Sequence, residues 1–198
     1  MAGLPRLDTY LASLPAGLAS YPECLAKGMI VRMMAADERL AAPAVALPAE
    51  LRRLLEDLPM GSEWIPEVHA MALMYATGDA ARISDEGIIS LARGRDRRAF
   101  ESPAYRVLMA VATPGLLIRN AAGRWANFHR GSSLEVEGIA DDGVHVGIRF
   151  PRGLFDGLHL RCFGGAMECA LELSSARAAH ADIVEAVPGY VRYRVAWE

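Results

Sequence analysis

The chain has 198 residues, is 53% hydrophobic and 23% charged, and carries a formal net charge of −3. That length suits one folded domain, and the composition excludes wholesale disorder. The near-neutral balance gives no general attraction to nucleic acid or anionic lipid, so neither is expected as a partner.

In chain order, Leu4–Leu14 reads as a short helix that ends before Pro15. Tyr21-Pro22 opens a second, with proline at the first helical position, where its missing N–H costs nothing. Leu25, Met29, Met33 and Ala36 form its apolar stripe, widened by Ile30 and Met34. Ala41–Leu47 is a connector rich in alanine and proline. Ala49–Leu58 is a more exposed helix with Leu51, Leu54, Leu55 and Leu58 inward. Pro59-Met-Gly-Ser is a turn. Ser62 caps the next helix, Pro66–Ala76, with Val68, Ala72 and Tyr75 facing in. Ser84 and Asp85 start a helix that runs through Ala99. Ser102-Pro103 and Thr113-Pro114 repeat one start signal, a hydroxyl cap followed by proline. They bracket a core helix, Pro103–Ala112. The helix after that runs from Pro114 to about Arg130, bent near Gly123, and Gly131 ends it in a left-handed turn.

From Leu134 the apolar period becomes two. Leu134 and Val136 alternate with Glu135 and Glu137, and Asp141-Asp142-Gly143 is a turn. Val144, Val146, Ile148 and Phe150 then alternate with His145, Gly147 and Arg149. A long helix comes next, from about Leu154 to Ala176, with Phe155, Leu158, Cys162, Ala166, Cys169 and Leu173 on its apolar side. Gly164-Gly165 costs this helix about 1 kcal/mol per glycine. The pair marks a close approach to the sheet or another helix, or else a break. Ala181, Ile183 and Val184 precede Val187-Pro-Gly-Tyr190, a type II turn, and Val191, Tyr193, Val195 and Trp197 complete a second hairpin. The expected fold class is α+β: an N-terminal helical layer, then an antiparallel β-β-α-β-β unit with the long helix on its dry face. Glu135 and Glu137 oppose Arg149, Arg192 and Arg194 on the wet face. The whole of 1–198 reads as one domain, mainly helical to residue 131 and sheet-containing from 132.

Familiar chemistry is missing. No dinucleotide or Walker loop, no Gly-x-Ser-x-Gly elbow and no His-Glu-x-x-His motif occurs. Cys24, Cys162 and Cys169 form no Cys-x-x-Cys pair and read as buried thiols of a reducing cytosol. Histidines 69, 129, 145, 159 and 180 do not cluster at ligand spacing, so no metal site, catalytic set or cofactor is expected. His69 reads as partly buried with a backbone partner, His159 as solvated, and His145 as lying on the wet sheet face. The basic run Arg93–Arg98 reads as a solvated helix end meeting the helix dipole. The N-terminus makes a poor leader, and no run of about 18 uncharged apolar residues exists. A cytoplasmic protein without a membrane span is the default.

Five residues near the helix-to-sheet junction are the candidate binding site: Arg124, Trp125, Phe128, His129 and Arg130. Spacings of three and four place Trp125, Phe128 and His129 on one helical face. They serve either as a core anchor or as a pocket wall, with indole for stacking and imidazole and guanidinium for a polar headgroup. The preferred reading is a non-enzymatic ligand-binding or signalling module. It holds a small apolar or amphipathic ligand or docks a protein partner. One alternative is an enzyme with His129 as general acid or base near Glu135 or Arg130. Another is a homo-oligomer, a homodimer in its simplest form, paired through the Gly164-Gly165 face or an edge strand Tyr190–Trp197.

Tyr21-Pro-Glu-Cys, Trp64-Ile-Pro-Glu-Val-His, Ser102-Pro-Ala-Tyr-Arg-Val-Leu-Met, Arg124-Trp-Ala-Asn-Phe-His-Arg-Gly and the ending Tyr193-Arg-Val-Ala-Trp-Glu resemble a paralogous family of myxobacteria, a domain of unknown function. That resemblance implies a bacterial cytoplasmic origin and no particular activity. The order of elements over Pro114–Glu198 is similar to the vinyl-4-reductase small-molecule-binding domain, of the haem-nitric-oxide-binding superfamily. Members often carry a cysteine pair for metal in the last hairpin. Residues 180–193 contain no cysteine here, and no motif places a haem-ligating histidine, so no functional residue is carried over.

Overall fold

The computed structural model describes residues 3–36, 47–102, 105, 112–140, 143–174 and 176–198. The expected connector Ala41–Leu47, the core helix Pro103–Ala112 and the turn at Asp141-Asp142 fall largely outside them. The chain divides into two compact units, Met1–Ile88 with Phe128–Gly131, and Ile89–Asn127 with Ser132–Glu198.

The first unit is built on α4 (Glu67–Ala81), in which Val68, Ala70, Met71, Ala72, Leu73, Met74, Tyr75 and Ala76 are all buried. A helix apolar on every side needs neighbours on every side. α1 (Pro5–Ser13) supplies one, with Tyr10 against Tyr75 at 5.2 Å between ring centroids. Asp79 of α4 caps α1 from outside: its Oδ2 accepts from the backbone N–H groups of Arg6 (2.9 Å) and Leu7 (3.2 Å), donors that no helical carbonyl can reach. α2 (Gly28–Ala35) buries Gly28, Val31 and Met34, and α3 (Ala49–Glu56) buries Leu51. α5 (Asp85–Phe100) begins here, and Ser84 Oγ accepts from the Gly87 N–H.

The unit also holds a sheet absent from the sequence-based expectation. β1 (Leu25–Lys27), β2 (Trp64–Pro66) and β3 (His129–Arg130) form an antiparallel sheet in the order β2-β1-β3. The helix expected from Tyr21-Pro22 therefore starts only at Gly28. Tyr21 instead turns the chain at φ 54°, closed by the Cys24 N–H on the Tyr21 carbonyl. Strands of two or three residues are too short to print a period of two.

The second unit contains the expected β-β-α-β-β order. β4 (Ser133–Ala140), β5 (Gly143–Arg149), β6 (His180–Val187) and β7 (Tyr190–Ala196) make an antiparallel sheet ordered β4-β5-β7-β6. Register sets Leu134 beside Ile148, Val146 beside Tyr193, and Ile148 beside Val191, and all of these are buried. β7 is paired on both sides, so Tyr190–Trp197 is not the edge strand anticipated; β4 and β6 are the edges.

After α6 (Pro114–Arg119) and α7 (Ala121–Phe128), the covering helix is α8 (Gly157–Glu172). It is shorter than Leu154–Ala176 because Asp156 caps it. The Asp156 Oδ1 accepts from the N–H groups of Leu158 (3.0 Å) and His159 (3.2 Å). The His159 imidazole folds back to that cap and is 1% exposed, so the solvated position expected for it is wrong. Gly164 permits the close approach to the sheet: a Cβ there would stand 3.1 Å from the Ala181 carbonyl oxygen. Arg97 and Arg98 are exposed in the last turn of α5, the solvated helix end expected, but Arg93 is half-buried. Arg93 pairs with Glu168 and Glu172, and Arg97 with Glu172 at 3.1 Å, which ties α5 to α8. Among the described residues no helix is long and apolar enough to cross a membrane.

Candidate functional site

Trp125, Phe128 and His129 do not share one helical face. Asn120 breaks the expected Pro114–Arg130 helix into α6 and α7, and α7 stops at Phe128. His129 and Arg130 are extended, and Gly131 turns at φ 76°, the left-handed conformation expected of it. The change to extended backbone thus comes two residues before that glycine.

Trp125 fills an aromatic cluster of the second unit. Its ring meets Phe163 edge-on at 5.1 Å and Phe155 at 6.4 Å, and Phe155 meets Phe150 at 5.0 Å. Its indole N–H donates to Ser132 Oγ at 3.1 Å. Arg124 is half-buried, and its Nε has no hydrogen-bond partner among the described residues. Phe128 is half-buried in the first unit.

His129 is 9% exposed, and both carboxylate oxygens of Glu67 lie 3.1 Å from its Nδ1. Glu67 is fully buried at the first position of α4, where a carboxylate also favours the helix dipole. Its backbone N–H donates to the Cys24 carbonyl at 2.9 Å, so β1 fixes where the carboxylate starts. Cys24 Sγ in turn donates to the Gly131 carbonyl at 3.6 Å. Burial, with Glu23 and Glu67 nearby, pushes the Cys24 thiol up to about 11 and holds it neutral. On the outer side of this sheet the Trp64 ring takes Lys27 Nζ at 3.8 Å and the Arg130 guanidinium at 4.0 Å from its centroid. Sequence patterns single out none of Glu67, Cys24, Trp64 and Lys27 as site residues. Proximity in sequence sets Glu67 beside His69, whereas its partner lies 62 residues on. His69 itself is half-buried with a backbone partner at Leu18, as expected, and burial holds its imidazole below the usual range.

The second unit has its own charged groups. Desolvation pushes the Asp96 carboxyl up to about 7, partly opposed by Arg95. On the wet sheet face Glu137 accepts from Tyr190 Oη (2.6 Å) and Arg192 Nε (2.7 Å), reaching across β5 over Gly147. Among the described residues no group of three acidic, histidine or cysteine side chains is arranged to hold a metal ion.

No protein-family model and no curated protein matches the sequence. Solved structures do. An oxygen-binding H-NOX domain related to soluble guanylate cyclases matches with a TM-score of 0.57 at 12% identity, over 87% of this chain and 95% of that one. An H-NOX structure from work on the mechanism of H-NOX activation gives 0.62 at 12% identity, over 87% and 96%. A mutant Fe(II) unliganded H-NOX protein from K. algicida gives 0.61 at 11% identity, again over 87% and 96%. At such identities the likeness is one of architecture: this chain has the α+β fold of H-NOX domains over most of its length, beyond the residues 114–198 whose order of elements suggests the relation.

Proposed function

We propose that this chain is a non-enzymatic sensing and signalling module. It would bind a small apolar or amphipathic molecule on an H-NOX-like frame without a histidine-ligated haem. The observation that carries the reading is the shared architecture over 87% of the chain, since one of the proteins named above binds oxygen on such a frame. Fold alone does not bring their ligand with it.

The donor set does not fit haem. Axial ligation calls for an imidazole or thiolate in most haem proteins. All five histidines and all three cysteines fall among the described residues. His129 is engaged by Glu67, His159 by the α8 cap and His69 by Leu18. His145 and His180 stand on sheet strands, His180 exposed. Burial raises the Cys24, Cys162 and Cys169 thiols to about 11, 12 and 11, which disfavours thiolate. Arg124 is our choice for the ligand's polar end, because its buried Nε retains an unspent donor.

Native mass spectrometry after mild purification, with a parallel haem titration, tests this. A bound small molecule is expected, lost in Arg124→Ala, with no stoichiometric haem band. A clean apo mass would remove the ligand, and a one-to-one haem complex would restore the cofactor. One observation favours an enzyme instead: a carboxylate aligned on an imidazole is how a general base is oriented. The 9% exposure of His129 weighs against a substrate reaching it.

A further inference from the structure

We propose that Phe128–Gly131 is a detachable clasp, docking in the first unit and leaving it as one piece, with the buried Glu67–His129 pair as its lock. These four residues belong to the first unit, while the chain on either side of them, to Asn127 and from Ser132, belongs to the second. The segment is thus a short insertion of one unit's chain into the other, whatever ligand the protein binds.

Its backbone hold is slight. β3 is two residues long, at the edge of its sheet, with Ala26 facing His129 and Leu25 facing Arg130. So short a ladder does not sustain itself. Side chains add to it. His129 meets Glu67, Arg130 lies over Trp64, and Gly131 sits so tightly on Cys24 that a Cβ would fall 2.6 Å from its Sγ and 2.9 Å from its Cα.

These attachments are unequal. The Arg130–Trp64 stack is exposed on its arginine side and weak. The Cys24 thiol is a weak donor at 3.6 Å. The carboxylate–imidazole contact is buried, and burial makes a polar pair an all-or-none device. Closed, both groups are satisfied; with one partner removed, the other is stranded. Loss of this buried pair therefore favours opening of the segment, whereas α4, buried on all sides, opens only with the unit as a whole.

Hydrogen exchange of the full chain tests the clasp, alongside brief trypsin digestion, which reports on the Arg130–Gly131 bond. In Glu67→Gln and His129→Gln, the amides of Arg130 and Gly131 should exchange about 100-fold faster or more, from the size of the buried-pair effect. Those of α4, β5 and β7 should hold within a few-fold, and trypsin should make one early cut after Arg130. A uniform rise through α4, β1 and β3, or no rise at β3, overturns the proposal. Should both variants fail to fold, the wild-type chain in sub-denaturing urea decides. β3 amides opening with a smaller urea dependence than those of α4 support a clasp, and equal dependence overturns it.

Discussion

A missing side chain makes room for the wet-face network of the sheet. Gly147 of β5 lies between Glu137 of β4 and Tyr190 of β7, and a Cβ on it would stand 2.2 Å from Glu137 Oε1 and 3.1 Å from the Tyr190 ring. Gly147→Ala should push the Glu137 carboxylate off Tyr190 and Arg192 and lower the urea midpoint slightly, since such exposed pairs are individually weak. Urea melts of the single variant and of its combination with Glu137→Gln check this, because the two losses should not add. Asp96 sets a larger, pH-dependent effect. Its carboxyl is raised from 3.8 to about 7 in the folded chain, so the folded state keeps its proton longer than the unfolded state does. That contribution to stability is full below about pH 4 and is lost as pH climbs toward about 7. Asp96→Asn should therefore leave stability at pH 4 nearly unchanged. At pH 8 it should raise stability by on the order of 2–4 kcal/mol, read from melts at the two pH values.

Within α8, two adjacent glycines should behave oppositely. A Cβ on Gly164 meets the Ala181 carbonyl oxygen at 3.1 Å, and that strand is pinned to α8 by the Ala181 N–H on Glu168 Oε1. A Cβ on Gly165 meets only Ile89 Cγ2, at 4.0 Å. Gly165→Ala should gain up to about 1 kcal/mol of helix propensity, whereas Gly164→Ala should lose that gain and about 1 kcal/mol more to crowding. The paired melts settle it. The close approach was legible in sequence because glycine in mid-helix has a cost that packing must offset. The two hairpins were legible too, since Val144, Val146 and Ile148, and Val191, Tyr193 and Val195, are long enough runs to show their period. The three-stranded sheet was not: Leu25–Lys27, Trp64–Pro66 and His129–Arg130 each run straight on from or into a helix, and their residues also fit helical spacing. The helical face expected for Trp125, Phe128 and His129 was lost for the same reason. Once Asn120 and Phe128 end their helices, Trp125 and His129 no longer share a face. The partner of His129 then comes from a contact 62 residues away, which no local pattern announces.

For the molecule as a whole, the three thiols measure how completely the chain is closed. Cys24 and Cys169 are fully buried and Cys162 nearly so, and desolvation raises each thiol well above its ordinary value. A thiol-specific reagent at pH 8 should leave all three unmodified for as long as the chain stays folded, and should label three per chain in denaturant. Fast labelling of Cys24 alone would locate opening at the β1–Gly131 contact; fast labelling of Cys162 and Cys169 would locate it under α8.

The Trp64 ring, flanked by two cations, is also a chromophore. Charge near an indole displaces its emission, and here one of the charges is borne by Arg130, a residue of β3. With Trp125 and Trp197 replaced by phenylalanine, the remaining fluorophore would change colour or intensity whenever that guanidinium withdraws. The fold thereby carries an optical gauge of its own, one that needs no attached dye.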